Sequence, residues 1–215
     1  EILVVPDRSH DGSLDPHAAE LIGAASEIGT PIVLIDDRTH ADALSTLGAA
    51  TVLVSDAPLV DATTTALTTL NPAAVLFSHT VRGRETAGRV AVRAGKALLT
   101  DAVAVRRDAE GIVTDHQNFG GAYTATAAAT HSAPVITVRP GAVEARAAAV
   151  ATPDVRDLDV QPSGARTAEV VSVTPVERTS TRPDLLTADK VVAGGVSLGD
   201  CLLYTSDAAD DSLRV

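Results

Sequence analysis

The amino-acid sequence predicts an α/β fold: a parallel sheet flanked by helices, with antiparallel strands added to it. Two features of the pattern indicate this class. Up to residue 97, short apolar runs alternate with amphipathic helical patterns, which is the order of parallel strands joined by right-handed crossover helices. From residue 98 onward, strand-like segments follow one another with turns and no long helix between them. These later segments fit antiparallel additions to the same sheet or a small β layer beside it.

Four parallel strands are predicted in the first half of the chain. Each is a short, continuous apolar run, as expected of a strand that is covered by helices on both faces. The predicted strands are Ile2–Val5, Pro31–Ile35, Thr51–Val54 and Ala74–Phe77.

The first two helices between these strands have recognisable ends. Asp15 and Pro16 predict the N-cap and the first residue of the first helix, which Gly29 can terminate. The second helix is predicted to begin at Thr39–Asp42, whose spacing resembles a capping box, and to end at Gly48. Apolar residues at helical spacing give each helix one face to bury. They are Leu21, Ala24, Ala25, Ile28, Leu44 and Leu47.

The third and fourth helices lie on either side of the fourth strand. A Thr-rich helix with Ala66, Leu67 and Leu70 is predicted to end at the breaker Asn71–Pro72. The fourth helix is predicted over Arg84–Ala94 and ends at Gly95.

The second half of the chain is predicted to contain strands followed by a wrap. From about residue 150 prolines recur, and Ala168–Val173 is one strand candidate there. We therefore place one nucleotide-binding-like N-terminal α/β domain at residues 1–182, including this wrap. The strands predicted before the wrap are Leu99–Val105, Gly111–Asp115, Ala122–Ala129 and Val135–Val138.

The charge of the chain limits its partners. With 28 Asp and Glu against 17 Lys and Arg, the formal net charge is −11, which argues against broad nucleic-acid contact and against anionic membranes. The apolar runs are too short to span a bilayer, and the given sequence does not open with the basic-then-apolar pattern expected of a signal peptide. The single cysteine, Cys201, excludes an internal disulfide and is compatible with a reducing cytoplasm. We therefore expect a cytoplasmic protein without nucleic-acid contact or membrane insertion.

The loop Ser78–Glu85 is one candidate binding site. It follows a predicted strand and opens a predicted helix, where backbone N–H groups and the helix dipole favour an anion. Arg82 and Arg84 flank Gly83 and strengthen that interpretation. The alternative is that Arg84 and Arg89 are charges on a solvated helix face. Phosphate binding here would indicate an adenine-nucleotide-binding protein of the stress-protein or nucleotide-hydrolase type.

The segment Gly194–Gly199 is a second candidate site. It follows an apolar run, and the adjacent Gly194 and Gly195 would permit the close approach of a phosphate. The dinucleotide fingerprint requires glycine at its first, third and sixth positions, whereas Val196 occupies the third. A plain strand-to-turn connection is the alternative.

No motif predicts catalysis or a metal site. The six histidines have none of the usual zinc-ligand spacings, and neither a nucleophile elbow nor a Walker loop occurs. Ser78 and His79 are adjacent, so in a strand they point to opposite faces and are not expected to pair as nucleophile and base. The sequence therefore predicts no catalytic residue and favours a non-enzymatic role.

A series of segments carries a family resemblance when the segments are taken in order. They are Ile2–Val5, His10–Leu14, Gly83–Ala91, Leu98–Asp101, Phe119–Ala122, Pro134–Gly141, Arg182–Leu185 and Ala188–Val192, which leads into Gly194 and Gly195. From residue 2 to about residue 200 they resemble the alpha subunit of electron transfer flavoproteins. The resemblance implies a carrier that binds FAD and pairs with a beta subunit. It also implies electron transfer from acyl-CoA-type dehydrogenases, as in fatty acid β-oxidation, to a quinone reductase.

The resemblance also implies where FAD would bind. In the family a Gly-Gly-Arg-Gly turn opens the FAD domain, and its arginine contacts the flavin. The matching residues here are Gly194, Gly195 and Val196, followed by Ser197. A valine side chain has no hydrogen-bond donor. We therefore expect the flavin contact to be impaired and FAD not to be retained by this chain.

The end of the chain departs from the resemblance. Residues 183–200 match the hinge and the first strand and turn of the FAD domain, most of which we expect to be missing. Residues 201–215 resemble translated adapter DNA and are interpreted as a non-native tail. The leading hypothesis is a C-terminally truncated alpha subunit that acts as a non-catalytic scaffold. The alternatives are the nucleotide-binding protein above and a purely structural interaction domain.

Overall fold

The computed structural model describes residues 1–9, 12–166, 171–172, 174 and 190–193. The chain divides into two compact units, residues 1–166 and residues 167–215. The few described residues of the second unit lie in no helix or strand. The predicted boundary at residue 182 and the predicted tail at 201–215 lie outside the described residues.

The first unit contains nine strands and four helices among its described residues. The strands are β1 (Ile2–Val5), β2 (Pro31–Ile35), β3 (Thr51–Val54), β4 (Val75–Ser78), β5 (Leu98–Asp108), β6 (Gly111–Asn118), β7 (Tyr123–Ala128), β8 (Val135–Val138) and β9 (Asp154–Asp157). The helices are α1 (Ala18–Ile28), α2 (Ala41–Thr46), α3 (Leu59–Leu70) and α4 (Val81–Ala94). Two short 3-10 turns cover Arg38–His40 and Phe119–Gly121.

All nine strands form one sheet in the order β7-β6-β5-β8-β4-β1-β2-β3-β9. The strands from β5 through β8, β4, β1, β2 and β3 to β9 are parallel neighbours, and β6 and β7 extend β5 as antiparallel strands. The predicted fold class is confirmed. The chain runs from β1 outward to β3 and then crosses to β4 on the other side of β1, so the carboxyl ends of β1 and β4 mark the topological switch point of the sheet.

The core lies in two layers, one on each face of the sheet. Alternate residues of β1 divide between them, because successive strand side chains point to opposite faces. Ile2 and Val4 pack in the layer that includes α1 and α2, whereas Leu3 and Val5 pack in the layer that includes α3 and α4. Phe77 is the largest fully buried side chain, so aliphatic residues and alanines fill most of both layers.

Three predicted helix starts are wrong, and hydrogen bonds explain each. The helix α1 begins at Ala18 because Asp15 accepts a hydrogen bond from the N–H of His17 and caps a preceding turn instead. No capping box opens α2 at Thr39, since Asp37 accepts from the N–H of Thr39 and starts a 3-10 turn.

The helix α4 begins three residues before the predicted Arg84. Its N-cap is Thr80, whose hydroxyl accepts a hydrogen bond from the N–H of Gly83. The predicted ends of α3 and α4 are confirmed, with Asn71 and Gly95 in the left-handed region that terminates a helix.

Several strands differ from the prediction. The strand β4 is shifted by one residue from Ala74–Phe77. In β8 the predicted residues form a strand, but it is a parallel strand between β5 and β4 and not an antiparallel addition. The strand β9 lies within the predicted wrap and pairs with β3. Of the candidate Ala168–Val173, only residues 171–172 are described, and neither is in a strand.

Candidate functional site

The topological switch point of the sheet is closed by two of the chain's own side chains. Asp7 follows β1, and Thr80 follows β4 and caps α4. The Thr80 hydroxyl donates a hydrogen bond to Asp7 Oδ2 and accepts one from the N–H of Gly83, with 2.9 Å between nitrogen and oxygen. Asp7 is only 6% exposed. A buried carboxylate therefore lies at the N-terminus of α4, where the predicted loop would bind an anion.

The electrostatics of this carboxylate follow from its burial. Desolvation raises the pKa of Asp7 above its ordinary value, while the hydrogen bond from Thr80 and the charge of Arg82 act in the opposite direction. The negative charge of Asp15 also raises the pKa of Asp7. A second anion at this position would meet both the Asp7 carboxylate and a capped helix N-terminus, so the pair opposes phosphate binding.

Gly83 in the predicted loop has a packing role. A Cβ atom on Gly83 would lie 2.0 Å from the carbonyl oxygen of Ser78. Glycine therefore allows α4 to start directly against the end of β4. This close approach involves the chain's own backbone and requires no ligand to explain it.

The arginines of the predicted loop and helix are engaged at the surface. Arg84 is exposed, and its Nε donates to the carbonyl oxygen of Thr80 at 3.2 Å. Arg89 forms an ion pair with Glu85 one turn away at 2.8 Å and donates to the carbonyl oxygen of Arg166. These contacts fit the solvated helix face that the sequence left open as an alternative.

A second polar cluster lies at the same edge of the sheet, where β8 and β4 end and β5 bends. Arg139 binds Asp101 through two hydrogen bonds, Nε to Oδ1 at 3.0 Å and Nη2 to Oδ2 at 2.6 Å. Its Nη2 also donates to the carbonyl oxygen of Gln117. Asp101 has a φ of 61°, a left-handed conformation that Asp tolerates better than most residues. The bidentate pair thus joins β5, β6 and the end of β8.

His79 belongs to this cluster through Thr137. The fully buried Thr137 hydroxyl accepts the N–H of Asp101 at 3.0 Å and lies 2.8 Å from His79 Nδ1. Every group is satisfied when this hydroxyl donates to Nδ1, which leaves the Nε2–H of His79 facing Asp101 at 3.8 Å. Burial lowers the pKa of His79, and Arg84 and Arg139 lower it further against the opposing charge of Asp101. The hydrogen bonds from Arg139 lower the pKa of Asp101.

A cavity of about 340 Å³ adjoins this cluster and is lined by Val103, Gln117, Arg139, Pro140, Gly141 and Ala142. Among the described residues that line it, the one charged side chain, Arg139, is already bound by Asp101. The described lining therefore presents no charged group free to select a ligand.

Among the described residues, the switch-point crevice does not suit the phosphates of FAD, because the buried Asp7 carboxylate there would repel them. The predicted contacts Gly194, Gly195 and Val196 lie outside the described residues. Within the described part of the chain, no three or more His, Cys, Asp or Glu side chains gather to hold a metal ion. In that part, too, no helix is long and apolar enough to cross a membrane.

Sequence reasoning missed Asp7, Asp101, Thr137 and Arg139. One signal was available for three of them: Asp7 follows a predicted strand closely, while Thr137 and Arg139 lie at the carboxyl end of another. The carboxyl ends of parallel strands meet at one edge of a sheet. The left-handed bend at Asp101 within β5 has no comparable signal.

Comparison with known proteins gives consistent similarities. A family model described as the electron transfer flavoprotein domain matches residues 2–177. An electron transfer flavoprotein subunit alpha from Mycobacterium leprae is 38% identical over an alignment 228 positions long, which covers 99% of this chain and 70% of the relative. The subunit alpha from Mycobacterium tuberculosis strain H37Rv is 42% identical over 163 residues, which cover 69% of this chain and 50% of the relative. The subunit alpha from Syntrophomonas wolfei is 36% identical over 127 residues, which cover 58% of this chain and 38% of the relative. The chain thus spans half or less of the length of the last two relatives.

Proposed function

The chain belongs to the electron transfer flavoprotein family, and we propose on that basis that it is the scaffold part of an alpha subunit that works as a heterodimer. One observation carries the scaffold role: the matched region contains the whole described sheet, and the crevice of that sheet is filled by Asp7 and Thr80. A fold does not by itself determine function, and here the usual ligand site of the sheet is occupied by the chain's own side chains. The role proposed for residues 1–166 is therefore to bind and position other protein parts.

We place FAD at the turn Gly194–Val196 of the intact protein. Two adjacent glycines allow a phosphate to approach the backbone, and the family name of the relatives, flavoprotein, supports a flavin cofactor. FAD supplies the redox chemistry when bound, and the protein sets its position. Because Val196 offers no donor, we propose that this chain retains FAD weakly or not at all.

The electron route of the complex is proposed from the family. The beta subunit is the direct partner, acyl-CoA-type dehydrogenases of fatty acid β-oxidation deliver electrons, and a quinone reductase receives them. We propose a cytoplasmic setting for these encounters, and the net charge of −11 disfavours nucleic acid and anionic membranes as further partners.

Co-expression with the beta subunit tests this proposal. We expect the two chains to co-purify as a 1:1 complex, with a flavin absorbance well below one FAD per complex. Stoichiometric flavin retained through gel filtration would overturn the proposed weakness of the Val196 turn. Failure of the two chains to associate would overturn the alpha-subunit role itself.

An adenine-nucleotide-binding function is the second candidate. It is favoured by the position of the Ser78–Glu85 loop, which does connect a parallel strand to a helix, and it is opposed by the Asp7 carboxylate. Calorimetric titration with ATP and AMP distinguishes the two functions. Saturable binding that Arg84→Ala abolishes would favour the nucleotide-binding protein. A purely structural domain would bind the beta subunit and no small ligand, even when the missing arginine is restored as Val196→Arg.

A further inference from the structure

The first unit ends in a strap, residues 158–166, which follows β9. The start of the strap is well attached. The N–H of Leu158 donates to the carbonyl oxygen of Val54 at 2.8 Å, and Leu158 and Val160 pack against the core layer that includes α3 and α4. The end of the strap, residues 161–166, forms no helix or strand, and all of these residues are exposed. Burial therefore does little to hold the strap end in place.

The side chain of Asp61 in α3 holds the strap end through Ser163. Its Oδ2 atom accepts a hydrogen bond from the N–H of Ser163 at 2.9 Å, and its Oδ1 atom accepts one from the Ser163 hydroxyl at 2.8 Å. Arg93 of α4 donates to the same Oδ1 atom. The Ser163 Oγ atom in turn accepts from the N–H of Ala165 at 3.2 Å. One carboxylate thus orders the strap end and joins it to two helices.

The position of Asp61 within α3 does not explain these bonds. It is the third residue of the helix, where a carboxylate usually interacts with the backbone N–H groups of the helix start. Here its oxygens bond to the strap and to α4 instead, and the residue is only 7% exposed. The hydrogen bonds from Ser163 and Arg93 hold the pKa of Asp61 below its ordinary value, so the carboxylate is charged at neutral pH.

A buried ion pair of this kind is better suited to fixing a position than to adding stability. The attraction between Asp61 and Arg93 is offset by the free energy of removing the carboxylate from water. In the described part of the chain, one other side chain contacts the strap end: Arg89 donates to the carbonyl oxygen of Arg166 at 3.1 Å. Arg89 is exposed and also pairs with Glu85, so solvent weakens its contribution. Asp61 is therefore the main attachment of the strap end.

We propose that Asp61 is a latch that fastens residues 161–166 to α3 and α4, and that the strap end can be unfastened while the fold stays intact. The strap end is the last part of the first unit, and residue 167 begins the second. The latch therefore fixes the point at which the chain leaves the first unit. Unfastening would free residues 161–166, which span about 20 Å when fully extended. The strand β9, Leu158 and Val160 would stay in place through their own contacts.

The test measures backbone amide order parameters of the full chain by ¹⁵N NMR relaxation. Two changes act on the latch: Asp61→Asn removes its charge, and Ser163→Asp places a second carboxylate against it. The matched controls change the strap at other exposed positions. Asp159→Asn removes a carboxylate of the strap, and Gln161→Asp adds the same charge as Ser163→Asp. The order parameters of β1 check that each variant keeps its fold.

We expect order parameters of about 0.85 at Ser163, Gly164 and Ala165 in the wild type and both controls, and values below about 0.6 in both latch variants. The values in β1 and β9 should not change. Because Ser163 is exposed, Ser163→Asp decides the outcome even if Asp61→Asn does not fold.

Three results would overturn the latch. A wild type that is already mobile at Gly164 would show that the strap end is not fastened. Latch variants that stay as ordered as the wild type would show that Asp61 does not fasten it. A Ser163→Asp variant that loses order in β1 and β9 as well would show that the strap end cannot be released separately from the fold. The measurement needs no partner, so its failure would leave the proposed function standing.

Discussion

The Asp7 carboxylate accepts a hydrogen bond from the Thr80 hydroxyl, and this pair joins the ends of β1 and β4. In open α/β sheets, ligands usually bind in the crevice at this point. Here the chain places its own anion at the start of α4 and caps the helix with the same threonine. The finding separates the shape of a nucleotide-binding fold from the ability to bind a nucleotide.

Thr80→Val should destabilise the protein by about 2–4 kcal/mol, because it removes both a helix N-cap and the donor to a buried carboxylate. Urea unfolding at pH 7 measures the change. Thr68→Val is the matched control, since the Thr68 hydroxyl is exposed and bonds only to the carbonyl oxygen of Thr64. Equal effects of the two changes would contradict the role given to Thr80.

Asp7→Asn should change how stability depends on pH. Burial raises the pKa of Asp7 in the folded state above its ordinary value of 3.8, so the folded state binds its proton more tightly than the unfolded state. The wild type therefore loses stability as pH rises from about 3.8 through the folded pKa. Asparagine does not titrate, so the stability of Asp7→Asn relative to the wild type should increase over that window. A difference that stays constant with pH would contradict the raised pKa.

Arg139→Gln tests the Asp101 pair, whose linkage has the opposite sign. Arg139 lowers the pKa of Asp101, so the pair stabilises the fold above the ordinary value of 3.8 and loses its effect as pH falls through the lowered pKa. Because the two side chains are 35% and 36% exposed, solvent screens the pair and the loss at pH 7 should be only about 1 kcal/mol. Denaturant titrations at pH 7 and pH 2 should show the variant converging on the wild type in acid. A loss that persists at pH 2 would point to packing instead.

Two glycines of α4 should respond in opposite directions to alanine. Gly83→Ala places a Cβ against the Ser78 carbonyl oxygen and should cost roughly 1–3 kcal/mol or more. Gly88→Ala meets nothing within 4 Å and should gain about 0.5–1 kcal/mol from helix propensity. Thermal unfolding of both variants measures the signs. A stabilising Gly83→Ala would show that α4 does not start so close to β4.

The buried parts of the fold were predictable because buried strands and helices have recognisable apolar patterns in the local sequence. The strands β1, β2 and β3 are covered on both faces, so each is a continuous apolar run. Those runs predicted the first and last residue of each strand correctly. The strand β9 was missed for the converse reason: as an exposed edge strand it is mostly charged and has no apolar pattern.

The candidate site depends on pairings that no local pattern contains. Asp7 and Thr80 are 73 residues apart, and Asp101 and Arg139 are 38 apart. The two contacts follow from the strand order, which places β4 beside β1 and β8 beside β5. The helix starts were misplaced for a related reason, since Asp37 and Thr80 act as caps only once the preceding backbone is fixed. The flavin turn at Gly194–Val196 stays a prediction.

Calorimetric titration of the chain with the beta subunit and, separately, with AMP distinguishes the alpha-subunit role from nucleotide binding. We expect saturable 1:1 binding of the beta subunit and no heat of binding with AMP. Saturable binding of AMP together with no binding of the beta subunit would contradict it, because the closed crevice and the alpha-subunit role would then both be wrong.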